Sequence, residues 1–237
     1  MQTIQTSSRF CRYAHFSSMA IAGLAVLAGG TALFGWMLGL GRLIRLGLSV
    51  DAPIFAVAAD VAVAILLAGL VLLLHQDAAS GRLRRRTASA CALGVVLFGG
   101  LAATDILFSA GFGLGGLFAT DAFGETASMS LGEALALVLL GAALWLRDWS
   151  IRGFRPGDWL AIAASLVALS LLLAFCGGAQ WRGTADALVI RTPISGSLLV
   201  LLGLAVPLAR PGRGPAMLLA SLFMARRVSP ADPGKKT

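Results

Sequence analysis

Three carboxylates occupy apolar surroundings in this sequence and are its first candidates for chemistry. Asp60 lies seven residues past Pro53 in a run ending at Leu74, Asp105 stands near the end of a run that begins at Ala88, and Glu133 opens a third run at Ser130. A carboxylate in hydrocarbon costs roughly 3 kcal/mol on insertion scales unless it is paired or protonated, so an ionisable residue inside such a run is a functional suspect. At a rise of about 1.5 Å per residue, Asp60 is expected roughly 10 Å into its helix. It reads either as a proton- or cation-responsive group facing a bundle interior or as the partner of a hydroxyl such as that of Ser165 or Thr104. Glu133 falls in a first helical turn, where the helix dipole favours an anion. Converged, Asp60, Asp105 and Glu133 form an acidic pocket for a cation or a basic ligand.

Other residue types carry less. His15 and His75 are expected at one level, at the ends of helices, which permits a bis-histidine site, but no spacing motif supports a metal. The cysteines Cys11, Cys91 and Cys176 lack metal-ligand spacing. Cys91 and Cys176 read as small buried apolar residues, and Cys11, between Arg9 and Arg12, as a possible acylation point. No phosphate loop, metal-protease helix or nucleophile with its base is present. No catalytic activity, cofactor or metal is expected. Gly35 and Gly39 form a GxxxG step, extended by Gly29 and Gly30, of the kind that lets helices approach closely.

The elements that must position these residues follow from composition. Hydrophobic residues make up 58% of the 237, charged residues 13%, and the mean hydropathy is +0.87. A soluble core of this size cannot hide that much apolar surface, whereas a bilayer solvates it. The net charge of +8 is scattered between the apolar runs rather than gathered on one module, which argues against nucleic acid. Spanning helices need about 20 apolar residues. Six runs qualify or nearly so: 18–40, 53–74, 88–107, 130–146, 159–178 and 193–209. The first continues past the length of a cleavable signal and reads as an anchor.

Of the 19 Lys and Arg, fifteen fall on one side of this arrangement. Two are in the N-terminal tail, four follow the second run, three follow the fourth, and six are in the C-terminal tail. The other side holds four: Arg42, Arg45, Arg182 and Arg191. That asymmetry puts both termini in the cytoplasm and requires an even number of spans. The stretch from Ser109 to Met129 has no Lys or Arg and is rich in glycine and phenylalanine, as suits a connector at the outer interface. After Arg210-Pro211 an apolar stretch too short to span ends in Arg226 and Arg227, which predicts a short interfacial helix on anionic lipid.

A repeat also runs through the chain. Residues 64–74, 137–147 and 199–209 resemble one another, each closing the second helix of a pair, so the chain reads as three helical hairpins in one orientation. Met129-Ser130-Leu131-Gly132-Glu133-Ala134-Leu135 runs into Leu139-Leu140-Gly141. Leu208-Ala209-Arg210-Pro211-Gly212-Arg213-Gly214 is followed by Met224-Ala225-Arg226-Arg227-Val228-Ser229-Pro230. These stretches resemble the multi-helix membrane sensor region that precedes PAS domains and a histidine kinase or diguanylate cyclase in many bacterial proteins. The resemblance covers roughly residues 20 to 230. Up to Thr237 there is no phospho-acceptor helix, cyclase motif or PAS-sized segment, so the resemblance implies a signal-input domain without kinase or cyclase activity.

The expected molecule is therefore an all-α, polytopic transmembrane helix bundle of the bacterial inner membrane, with six spans as three hairpins and a short C-terminal interfacial helix. Its parts are a cytoplasmic tail at 1–17, a membrane domain at 18–209, a juxtamembrane segment at 210–227 and a disordered tail at 228–237. Its expected role is sensory input, with an accessory subunit of a larger membrane complex and a small transporter as alternatives. Its expected partners are the bilayer and either a second copy or a membrane or cytoplasmic signalling protein.

Overall fold

A computed structural model describes residues 2–40, 57–76, 81–108, 129–150, 155–176 and 192–210, with side chains from Cys11 onward. Every regular element among them is helical. In order they are α1 (Gln2–Leu38), α2 (Ala59–Leu74), α3 (Arg82–Phe108), α4 (Leu131–Trp145) continued by a 3-10 turn (Leu146–Asp148), α5 (Pro156–Cys176) and α6 (Pro193–Leu208). The 109–128 stretch, the interfacial segment after Arg210 and the tail from Val228 lie outside the described residues.

Local chemistry sets the helix ends. Ser130 caps α4: its hydroxyl accepts from the Glu133 N–H at 3.2 Å, while the Glu133 carboxylate accepts from the Ser130 N–H at 3.0 Å, a reciprocal box that satisfies two otherwise orphaned donors. Thr192 caps α6 with its hydroxyl, which accepts from the Ser195 N–H at 3.4 Å, ahead of Pro193, whose missing N–H is harmless in a first turn. At the end of α1, Gly39 turns left-handed at φ 66°. The Leu40 N–H reaches the Gly35 carbonyl at 2.9 Å and the Gly39 N–H reaches the Trp36 carbonyl at 3.4 Å, the two bonds of a Schellman stop.

Among the described residues, three helices are long and apolar enough to cross a membrane: Cys11–Leu38 within α1, then α3 and α5. They stand on the periphery and expose large apolar side chains such as Leu27, Phe34, Leu97, Leu101, Leu166 and Leu173. Water does not tolerate such a surface, and lipid does. The chain is a helical-bundle membrane protein. The shorter α2, α4 and α6 meet one another at the centre, and each also packs on the outer helices next to it in sequence, with α1 and α6 closing the ring. Ile65, Leu72, Leu137, Leu140, Leu144, Leu199 and Leu202 fill the middle and are essentially inaccessible.

Glycines fix how closely each outer helix meets the inner helix after it. Gly69, Gly141 and Gly203 are each the eleventh residue of their helix. A Cβ on Gly69 would stand 2.9 Å from the Ala22 carbonyl oxygen; on Gly141 it would meet Val96 at 2.8 Å, and on Gly203 the Ala161 carbonyl at 2.8 Å. Seven residues after Ala22 and Ala92 come Gly29 and Gly99, which press on the backbone of Ala62 and Ala134 in return. The crossings share one register. It corrects the sequence alignment by one residue: Gly69 corresponds to Gly141, where matching 64–74 to 137–147 had paired it with Ala142. Leucine-rich runs slide against one another easily, and the glycine contacts do not.

Candidate functional site

The polar residues of the bundle collect at its two ends, and the three inner helices connect them. At one end lie the N-termini of α2, α4 and α6. Asp60 is the second residue of α2, which starts at Ala59. The position expected roughly 10 Å into a helix is therefore corrected to a first turn. There Asp60 is 4% exposed, accepting from the Val61 N–H at 2.8 Å and from the Met129 N–H at 3.1 Å. A backbone amide at the start of the next inner helix is thus its partner. The hydroxyls expected for that role are engaged elsewhere: Ser165 donates to the Val200 carbonyl and Thr104 to the carbonyl of Leu101 in its own helix.

Glu133 repeats the arrangement one helix later. One carboxylate oxygen closes the capping box with Ser130, and the other accepts a hydrogen bond from the Ser195 hydroxyl in the first turn of α6. Asp60 thus ties α2 to α4, and Glu133 ties α4 to α6. The two buried carboxylates lie close enough to feel each other's charge, among the positive ends of three helix dipoles. Nearby, the Trp36 indole N–H donates to the Val57 carbonyl at 2.9 Å, joining the end of α1 to the start of α2.

At the opposite end the inner helices finish at equivalent positions: His75 and Gln76, Arg147 and Asp148, Ala209 and Arg210. Asp148 takes the Arg85 Nε at 3.1 Å and the Arg210 Nη1 at 3.3 Å, with His75 Nε2 at 3.9 Å. The Arg84 guanidinium donates to the Leu73 carbonyl at 3.2 Å. Cations suit this place, since the carbonyl ends of three helices converge on it. Arg147 is the exception in depth, being 4% exposed. Burial, with Arg210 beside it, lowers its guanidinium to about 10, so it stays charged at neutral pH.

Burial also pushes the His75 imidazole below its ordinary pKa, against the Val71 carbonyl 2.9 Å from Nδ1, which pulls the other way. The groups facing the ring are Arg147, Asp148 and Arg210. Because the folded pKa is depressed below the unfolded value of about 6.5, the folded state binds fewer protons in the interval between them. The stability held by neutral His75 is full above that unfolded value and is lost as pH falls through the interval. Thermal midpoints should therefore drop as pH falls below about 6.5, and His75→Asn should flatten that drop. An unchanged slope in the variant would show that another group is responsible.

Two of the three carboxylates singled out in the sequence come together, Asp60 and Glu133. Asp105 sits half-exposed near the end of α3, at the same end of the bundle. Of the glycine pair, Gly35 is buried, whereas a Cβ on Gly39 would meet nothing within 4 Å. Gly39 stops the helix, and the packing role falls to Gly29. Cys176, expected to be buried, is exposed, and Cys91 is half-buried. His15 is exposed on α1, and no group of three metal-ligating side chains occurs among the described residues.

Sequence reasoning missed Thr192, Ser195, Asp148 and the burial of Arg147. The Thr-Pro-x-Ser step at Thr192 was a legible capping signal. In the sequence Arg147 counts only as one of the three basic residues that follow the fourth run, and lining up the three inner-helix ends exposes it together with Asp148. Comparison of the chain with protein-family models, curated proteins and solved structures gives no match, so its function must be read from these two polar ends and the helices between them.

Proposed function

We propose that the chain crosses the bacterial inner membrane six times, as three helical hairpins with both termini in the cytoplasm, and acts there as a signal-input module without catalytic activity. One observation carries the reading: the same three inner helices hold the Asp60–Glu133–Ser195 network at one end and the His75–Arg147–Asp148–Arg210 cluster at the other. A change of charge or ligation at the first end acts on the starts of α2, α4 and α6, and their ends carry it to the second. The fifteen-to-four division of Lys and Arg assigns the second end to the cytoplasm. The resemblance to the membrane region of sensor kinases and cyclases agrees with this role.

The short inner helices fit six spans. At 15 or 16 residues they are about 24 Å long, less than a hydrocarbon core of about 30 Å. Their first turns then lie at membrane depth, where water cannot serve the free N–H groups, and Asp60, Glu133, Ser130 and Thr192 serve them instead. Transport is the weaker reading, because close-packed leucine and isoleucine fill the axis between the two ends.

Two measurements test the proposal. Reporter fusions at Arg84, Gly115, Arg152 and Thr237 should report inside, outside, inside and inside; an external Thr237 would end the six-span topology. Spin labels at Gly81 and Ser150 should show an altered distance distribution in Asp60→Asn, which changes only the far end. A distribution identical to that of the unsubstituted protein would remove the coupling and leave an accessory subunit as the better reading.

A further inference from the structure

Among the described residues, the capped end of the bundle satisfies its buried polar side chains, and the other end does not. Among the described residues, neither Nη1 nor Nη2 of Arg147 meets an acceptor, although both are sealed from solvent, and the Nε2 of Gln76 is in the same position. All three atoms are donors. A buried guanidinium left without acceptors is among the costlier defects a protein can carry. The carbonyl ends of the inner helices explain why cations collect here, yet no carbonyl among the described residues receives these hydrogens.

The charges around Arg147 lean the same way. Arg155 and Arg210 act on it as like charges, Asp148 and Asp158 as opposite ones. Asp148 is already shared between Arg85 and Arg210. Asp158 answers Arg155 as well as Arg147. Counting Arg84, five arginines face two aspartates at this end among the described residues, an excess of positive charge. Gly157 brings α5 against the end of α4, where a Cβ would meet the Ala143 carbonyl at 2.7 Å and the Arg147 Cα at 3.2 Å. The backbone of Arg147 is therefore pressed directly against α5.

We propose that Arg147, with Gln76 and Arg210, forms a binding site for a phosphate-bearing anion at the ends of α2, α4 and α6. A phosphate oxygen pair matches the planar fork of a guanidinium, whose two terminal nitrogens donate in parallel, and tolerates further donors from an amide and a second arginine. A phospholipid headgroup and free phosphate share this chemistry. The site does not depend on the signalling role or on which leaflet it faces.

The full chain in phosphatidylcholine nanodiscs, titrated with inorganic phosphate at constant ionic strength, should gain several degrees in thermal midpoint if free phosphate is the ligand. If a lipid supplies the group, the gain should come instead from phosphatidylglycerol nanodiscs without added phosphate. Either gain should vanish in Arg147→Met and shrink in Arg210→Gln. No gain in either arm, or an equal gain in Arg147→Met, would overturn the proposal. Should Arg147→Met not fold, the unsubstituted protein decides the matter. With nitrogen-15 in its arginine side chains, rotational-echo solid-state NMR should show dephasing of a phosphorus signal by guanidinium nitrogen, and an undephased signal overturns the site.

Discussion

Glu133→Leu is expected to destabilise the bundle more than any other single change at the carboxylate end. It removes the acceptor of the Ser130 N–H and the partner of the Ser130 and Ser195 hydroxyls, all in buried surroundings. The Ser195 hydroxyl can turn to the Thr192 carbonyl at 2.9 Å, which leaves two orphaned donors. At about 1–3 kcal/mol each, a loss of about 2–6 kcal/mol is expected against a total stability of about 5–15 kcal/mol. Glu133→Gln keeps one acceptor oxygen and should recover part of that loss, because it can serve either the capping box or Ser195 but not both. Ser195→Ala removes a donor and leaves the capping box intact, so its effect should be the smallest of the three. Thermal midpoints of the purified variants in one detergent would test the order. Equal midpoints for Leu and Gln would show that the carboxylate is not the link between α4 and α6.

Gly29→Ala is expected to be the most damaging alanine substitution in α1. The added Cβ would stand 2.7 Å from the Ala62 carbonyl oxygen and 2.9 Å from the Leu66 nitrogen, both backbone atoms of α2 that no side-chain rotation can move. Forcing the helices apart costs about 1–3 kcal/mol in a close-packed interior, and Gly29→Leu should cost more. The neighbouring Gly30→Ala is the internal control. Its Cβ would come no closer than 3.8 Å to the end of the Leu66 side chain, and the higher helix propensity of alanine should leave it neutral or slightly stabilised. Gly39→Ala fails for another reason, since it must hold φ 66° with a side chain, and a loss of about 1 kcal/mol is expected. Retention of the monodisperse species after heating separates these cases. Equal losses for Gly29→Ala and Gly30→Ala would show that α1 and α2 do not pack at this register.

Much of the architecture was legible because helix formation and lipid exposure are local properties of composition. The runs ending at Leu74, at Leu107, near Leu146 and near Ala209 appear as helices ending at Leu74, Phe108, Trp145 and Leu208. The first helix reaches back to Gln2, through the residues expected as a tail, because nothing before Ser18 breaks a helix. Capping was legible too, since Ser130 and Glu133 have the spacing of a capping box and need no distant partner.

The pairing of those local pieces was not legible. An acidic residue in an apolar run signals that it needs a partner without saying which. Asp60 found a backbone amide at Met129, 69 residues away, which no side-chain pattern can announce. Gly29, Gly30, Gly35 and Gly39 looked alike in sequence, and the approach of α2 decided that Gly29 carries the contact while Gly39 ends the helix. Arg147 read as one more loop charge in the count of positive residues. Burying its guanidinium took the ends of three helices and the close approach of α5 at Gly157. Composition and short-range spacing determine which segments become helices and which faces meet lipid. Which polar groups share a buried space depends on contacts between residues far apart in the chain, and only the folded bundle decides that.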